Sequence, residues 1–256
     1  MIRWFEHSRV YVPSTILDPC QLNCTFEEVW FQSKDGTRLH GWFIPAPSEG
    51  TWRRHTLLLM HGNGGNISHR GAFYEAWHEF GINVLAFDYR GYGQSQGKPS
   101  EVGTYLDAQA GYRWLREHGF NPRQIIPIGK SLGGGIASEL ALREDVGALI
   151  LQNTFTSIPD IGSEMFPFLP IRRLARIAYD THSKLPKIHV PVLIAHSPKD
   201  QTIGIHHARK NFEAANEPKM FLELAGGHTD TVEAGKVLYL EGLRNFFTNF
   251  LQNEEQ

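Results

Sequence analysis

Ser131 stands in Gly129-Lys130-Ser131-Leu132-Gly133, a G-x-S-x-G pattern lying between an apolar run, residues 124–129, and a helical pattern, residues 132–143. A sharp strand-to-helix turn of this kind lifts the serine oxygen above the strand's carboxyl end. The helix that follows aims its free N–H groups at the same point, which favours developing negative charge. A serine hydroxyl needs a base to become nucleophilic at neutral pH. Of the thirteen histidines, His228 is the candidate, because Ala225-Gly226-Gly227-His228 follows the last apolar run and forms a loop at the sheet's carboxyl edge. The base in turn needs an acid to hold it. Asp200, in Ser197-Pro198-Lys199-Asp200, follows a further apolar run and supplies one. Asp230 is a weaker candidate, since its side chain has to fold back on the histidine's own loop. The other place for an acid, after the run that succeeds the nucleophile's helix, reads Gln152-Asn153 and holds no carboxylate.

An acyl-transfer site also needs two backbone N–H donors for the oxyanion. Leu132, the residue after the nucleophile, is one. The loop His61-Gly62-Asn63-Gly64-Gly65-Asn66 offers the other, at Asn63. His61 borders this site as a packing or hydrogen-bonding residue. The loop is not a phosphate loop, because no Gly-Lys-Ser/Thr closes it. Gly129-Lys130-Ser131 lacks the glycine five residues upstream, where Gln124 stands. Asp88 and Arg90, in the glycine-rich stretch after residues 82–88, read as a structural pair.

These residues require elements that deliver them to one edge. Residues 27–33 and 38–44 are β-rich and flank Asp35-Gly36, a hairpin signal. Nearly continuous apolar runs at 55–61, 82–88, 124–129, 148–152, 191–197 and 219–224 suit buried parallel strands. Helical patterns at 67–80, 100–118, 132–143, 205–215 and 234–251 alternate with them, and Ser100 is placed as an N-cap. Alternation of this kind gives a mostly parallel sheet covered by helices on both faces, with the hairpin as antiparallel strands at one edge. The order Ser131, Asp200, His228 is the order such a sheet uses for this constellation. Residues 154–188 break the rhythm with four prolines, the apolar cluster Met165-Phe166-Pro167-Phe168-Leu169 and three arginines, and read as a lid over the pocket.

The bulk properties frame this reading. At 256 residues, 41% hydrophobic and 20% charged, the chain suits one α/β domain, residues 1–256, with the lid inserted in it. A net charge of -2 gives no reason to expect a nucleic-acid partner. Six tryptophans and sixteen phenylalanines fit a large core or an apolar pocket. Cys20 and Cys24 make neither a disulfide framework nor a zinc motif, and read as free thiols in a reducing compartment, with a local disulfide as the alternative. No stretch is apolar enough to span a membrane, and the charged start has no signal-peptide core, so a cytoplasmic protein is expected.

Four segments, H-G-N-G-G-N, D-Y-R-G-Y-G-Q-S-Q-G-K-P-S-E, G-K-S-L-G-G-G and G-G-H, stand in the order found in the α/β-hydrolase superfamily. Across residues 27–250 the chain most resembles the "alpha/beta hydrolase domain-containing" proteins, which include acyl-protein depalmitoylases, and bacterial proteins labelled serine aminopeptidase-like. The resemblance implies Ser131, Asp200 and His228 as triad and Asn63 and Leu132 as oxyanion donors. It also implies hydrolysis of an ester, thioester or amide with no metal or organic cofactor. Many members carry an apolar anchor before the hydrolase domain. This chain starts Met1-Ile2-Arg3-Trp4-Phe5 without one, which leaves peripheral membrane contact open. The expected activity is a carboxylic ester or thioester hydrolase on a small-molecule or acyl substrate, with Met165, Phe166 and Phe168 as substrate-binding residues. The alternatives are a peptidase or aminopeptidase on the same triad, with Glu164 or Asp160 facing the free amine, and a non-catalytic binding protein on a hydrolase fold. An intact triad argues against the last.

Overall fold

Aliphatic runs become strands here because they are buried on both faces, and the computed structural model, which describes residues 2–19 and 22–251, shows where each is buried. The elements in chain order are α1 (Ile2–Val10), β1 (Val12–Pro13), β2 (Glu27–Gln32), β3 (Arg38–Ile44), β4 (Trp52–Met60), β5 (Gly64–Gly65), α2 (Gly71–Phe80), β6 (Ile82–Phe87), α3 (Glu101–Glu117), β7 (Ile125–Lys130) and α4 (Leu132–Arg143). They continue as β8 (Leu149–Gln152), α5 (Ile158–Met165), α6 (Ile171–Leu174), β9 (Val192–His196), α7 (Ile205–Ala214), β10 (Lys219–Glu223) and α8 (Thr231–Phe250). Eight strands form one sheet in the order β10-β9-β8-β7-β4-β6-β3-β2. The pairs β2–β3 and β3–β6 are antiparallel, and the other pairs are parallel. The expected hairpin therefore lies at one edge of an otherwise parallel sheet.

The two faces of β4 show how the sheet carries two cores. Leu58 and Met60 point into a cluster with Ile136 and Leu140 of α4 and Leu115 of α3. Leu57 and Leu59 point the other way, into a cluster with Trp77 of α2 and Tyr239, Leu243 and Phe247 of α8. This period-2 alternation between two covered faces explains why β4 reads as unbroken apolar sequence. Ser100 does cap α3, its hydroxyl accepting the Gly103 N–H at 3.1 Å.

The structure departs from the sequence reading in four places. Residues 2–13 form α1 and β1, and β1 pairs in parallel with β5 (Val12 opposite Gly64). The first turn of the 67–80 segment is a 3₁₀ helix, Ile67–Arg70, capped by Asn66. The last helix starts at Thr231, three residues early, with Gly235 out of helical geometry at φ -160°. Asp88 and Arg90 do not pair: Asp88 accepts the Ile67 N–H at 3.0 Å, while Arg90 holds Asp107 and Asp35, each at 2.7 Å. The Asp107 carboxylate on α3 and the Asp35 hairpin turn both lie within the guanidinium's reach, so the arginine ties two elements rather than its own loop. Cys24 is buried, and Cys20 lies outside the described residues. Among the described residues no helix is long and apolar enough to cross a membrane.

Candidate active site

β7 ends at Lys130 and α4 begins at Leu132, so Ser131 alone makes the turn between them. Its backbone adopts φ 52° and ψ -118°, a region that costs a side-chain-bearing residue of order 1–3 kcal/mol. Surrounding structure must hold such a residue in place. The Ser131 N–H donates to the Gln152 carbonyl at 3.0 Å, and the Ser131 carbonyl accepts the Thr154 hydroxyl at 2.6 Å. Both partners come from the exit of β8, so the neighbouring strand braces the turn. The flanking glycines let the helix close on the sheet: a Cβ at Gly133 would overlap the Met60 carbonyl, and one at Gly129 would overlap the Gly133 carbonyl.

His228 and Asp200 arrive from the loops after β10 and β9. The His228 Nδ1 lies 2.7 Å from Asp200 Oδ2. The second oxygen, Oδ1, accepts the N–H groups of Thr202 and Ile203 at 2.8 and 2.9 Å. Burial raises the Asp200 pKa, but the bonds from His228, Ile203 and Thr202 outweigh it and hold the carboxyl below the usual aspartate value. Asp200 is therefore ionised at neutral pH and can keep a proton on Nδ1, leaving Nε2 as the basic nitrogen. Asp230, the rival acid, is engaged elsewhere: its Oδ1 accepts the Gly227 N–H at 2.7 Å.

Asn153 joins the parts, and nothing in sequence periodicity marks it. With φ 46°, its amide nitrogen donates to Asp200 Oδ2 at 3.0 Å and to the Gly227 and His228 carbonyls at 3.2 and 3.4 Å. Its amide oxygen accepts the Ser197 N–H at 3.3 Å. One side chain after β8 thus bridges the acid's loop and the histidine's loop, and the residues on either side of it, Gln152 and Thr154, brace Ser131. The signal was present as the missing carboxylate at this position. Lys130 adds a link, its ammonium donating to the Thr229 carbonyl at 3.3 Å and sitting 4.2 Å from the Phe73 ring centroid. Burial pushes the Lys130 pKa down to about 8.

The loop carrying Asn63 is held on several sides. His61 Nδ1 lies 2.7 Å from the Gly62 carbonyl. Because the peptide is planar and trans, fixing that carbonyl directs the Asn63 N–H the opposite way. The Asn63 carbonyl accepts the Val12 N–H at 3.1 Å and the Tyr92 hydroxyl at 2.9 Å. Ser14 N–H donates to the Gly65 carbonyl, and the Asn66 amide donates to the Ser14 and Ile16 carbonyls at 3.2 and 2.6 Å. The N-terminal segment is a strap across this loop.

The predicted substrate residues are placed differently. Phe166 packs edge-on against Phe5 of α1 at 6.0 Å between centroids. Met165 is 60% exposed and Phe168 98% exposed, so neither covers a pocket in this state. Asp160 pairs with Arg172 at 3.0 Å and accepts the Thr156 hydroxyl at 2.7 Å, and Glu164 pairs with His206 at 2.9 Å and His207 at 3.2 Å. A cavity of about 1190 Å³ opens at the opposite edge of the sheet among Arg53, Arg123, Asp145 and Lys187 and has no part in this site.

Comparison with known proteins agrees with the fold. A family model described as serine aminopeptidase, S33, matches residues 52–169. An alpha/beta hydrolase domain-containing protein, WAV2 of Arabidopsis thaliana, is 34% identical over 92% of this chain and 85% of its own length. Protein bem46 of Schizosaccharomyces pombe is also 34% identical, over 77% of this chain and 67% of its own length. Among solved structures, an esterase of Pyrococcus furiosus superposes with a TM-score of 0.76 at 18% identity, covering 94% of this chain and 98% of that one. An acylaminoacyl peptidase of Pyrococcus horikoshii superposes with a TM-score of 0.66 at 15% identity, over 92% of this chain and 43% of that one.

Proposed function

Because this chain belongs to the α/β-hydrolase family, we propose that it is a serine hydrolase acting on acyl esters or thioesters through an acyl-enzyme on Ser131. The observation that carries the reading is the 2.7 Å pair of His228 and Asp200, held by Asn153 on the same strand exit whose Gln152 and Thr154 brace the strained Ser131 turn. In the first step Ser131 Oγ attacks the carbonyl carbon as His228 Nε2 takes its proton. The oxyanion is held by the N–H groups of Leu132 and Asn63. The bond to the leaving oxygen or sulfur then breaks, and the histidine returns its proton to that group. Water attacks the acyl-Ser131 by the same route in reverse, releasing the acid and regenerating the serine. Asp200 stabilises the imidazolium at both stages without taking its proton.

Two features favour an acyl substrate over a free amine. The carboxylates suited to an amine subsite, Asp160 and Glu164, are engaged by Arg172, His206 and His207. Apolar surface on residues 165–169 is available instead, and each buried CH₂ of an acyl chain contributes about 0.8 kcal/mol. In this reading residues 154–188 act as the lid and Met165, Phe166 and Phe168 contact substrate once it closes. The description of the matching family model supports a second reading, an aminopeptidase on the same triad. A panel of p-nitrophenyl esters of increasing chain length, run beside aminoacyl-nitroanilides, decides between them. We expect kcat/KM for esters to exceed that for anilides by at least about tenfold, a gap of about 1.4 kcal/mol. The reverse order establishes the peptidase reading.

A further inference from the structure

Residues outside the triad cluster where α5 meets the body. Glu164 is in the last turn of α5, and His206 and His207 are in the first turn of α7, directly after the loop that holds Asp200. One nitrogen from each histidine and one oxygen from the glutamate all lie within 4.8 Å of one another. The glutamate oxygens already touch both rings, Oε1 at 2.9 Å from His206 Nε2 and Oε2 at 3.2 Å from His207 Nε2. Ligands about 2.0–2.1 Å from a tetrahedral ion stand about 3.3 Å apart, so small side-chain adjustments bring this set around one ion.

The groups behind the ligands fit the same role. A metal-bound histidine donates its other ring N–H to an acceptor that is itself held by a carboxylate or carbonyl. His207 is fully buried, and its Nδ1 lies 3.0 Å from the Thr156 hydroxyl, which donates to Asp160 at 2.7 Å. As the site stands, the Thr156 N–H also approaches that nitrogen, at 3.2 Å, which places the ring proton on Nε2 facing Glu164. Metal binding at Nε2 moves that proton to Nδ1, so the ring gives up the Thr156 N–H, which it can no longer accept, and donates instead to the Thr156 hydroxyl backed by Asp160. His206 and Glu164 are about half exposed, which leaves the fourth position open to water.

We propose that Glu164, His206 and His207 form a binding site for a divalent transition ion of the zinc class, which clips α5 to α7. Two imidazoles and one carboxylate select such an ion over magnesium or calcium, which take all-oxygen shells. The consequence is mechanical. α5 belongs to the segment expected to cover the active site, so an occupied site restrains that segment while leaving Ser131, Asp200 and His228 untouched.

The test uses the full chain, stripped of metal, and reads binding rather than turnover, so it stands or falls apart from the hydrolase reading. Titration calorimetry with Zn²⁺ alone should give one saturable site per chain, and Co²⁺ should give the visible absorption of a tetrahedral nitrogen/oxygen shell. Glu164→Gln and His206→Ala should each weaken Zn²⁺ binding by at least about tenfold, and Thr156→Val, which removes only the support, by about tenfold. His182→Ala, an exposed histidine outside the cluster, should bind as the wild type does. The proposal is overturned by absence of saturable Zn²⁺ binding, by equal affinity in Glu164→Gln and His206→Ala, or by Mg²⁺ competing at similar concentration. Circular dichroism confirms that each variant is folded, and the wild-type Co²⁺ spectrum decides the question if one is not.

Discussion

The Ser131 backbone is strained only because the exit of β8 compels it, and that confines what substitution there can do. Ser131→Ala keeps the Cβ and both braced backbone groups, so the fold should persist while labelling by a fluorophosphonate probe disappears. Intact-mass spectrometry reads this directly, and an adduct retained by the variant refutes the nucleophile assignment. Asp200→Asn tests the acid. It replaces a carboxylate bonded to His228, Thr202, Ile203 and Asn153 with an amide that cannot hold the Nδ1 proton in the same way. Turnover should fall by roughly 10³–10⁴ with little change in KM. An Asp230→Asn variant should retain most activity, because that carboxylate caps the Gly227 amide. Lys130 sits between catalysis and stability. Its lowered pKa means the folded state pays to keep it charged below about pH 8, a cost of order 3 kcal/mol that is relieved as pH rises toward the unfolded value. Lys130→Met should therefore raise the melting temperature at pH 7 while lowering ester turnover, since it frees the Thr229 carbonyl beside His228. A melting temperature that falls instead would show that the contacts to Phe73 and Thr229 outweigh the burial cost.

At the scale of elements, the site is five strand exits, those of β4, β7, β8, β9 and β10, and one strap. Asn66 shows what the strap contributes. It is fully buried, and its amide satisfies the Ser14 and Ile16 carbonyls while its oxygen accepts the Ser68 N–H and hydroxyl. Asn66→Ala leaves several of these groups unpaired, at about 1–3 kcal/mol each. Urea unfolding should show a loss of several kcal/mol, and ester kinetics a lower kcat from a loosened Asn63 loop. Unchanged kcat in a folded variant would separate the strap from the oxyanion loop. The strands and helices were legible in the sequence because periodicity reports burial, and residues in the run from β4 to β9 are buried on both faces. The Asp200–His228 pairing followed from which loops reach one edge. The strap was not legible. α1 and β1 are short and mixed in polarity, and β1 pairs with two glycines, Gly64 and Gly65, that carry no strand signal. Asn153 and Asn66 act through amide groups whose partners lie up to 75 residues away, and no local pattern encodes such partners.

For the whole molecule, burial of ionisable groups sets the pH range of stability. His40, His196 and His207 are all fully buried, and burial lowers each pKa below the usual histidine value. The unfolded chain then binds protons that the folded chain refuses, so stability is lost as pH falls through about 6.5. Asp200, Asp160 and Glu164 have depressed pKa values for which hydrogen bonds and nearby cations outweigh burial, and they extend the loss as pH falls through about 4. Melting temperature should be flat near neutrality, decline from about pH 6.5 and steepen below about pH 4. A melting curve unchanged down to pH 5 would mean that these histidines charge without unfolding.

The strap also has a history. Tyr11 meets Tyr179 across 168 residues at 2.9 Å between hydroxyls, and Glu6 accepts the N–H groups of Arg176 and Ile177. Residues 6–16 leave the ribosome long before those partners exist, and contacts of such separation close late because they cost the most loop entropy. The central sheet can therefore assemble around a strap still unattached at one end. During refolding, tryptophan fluorescence should recover before the proposed ester hydrolysis, and the lag between them should lengthen in Tyr11→Phe, which loses the bond to Tyr179 that fastens the strap.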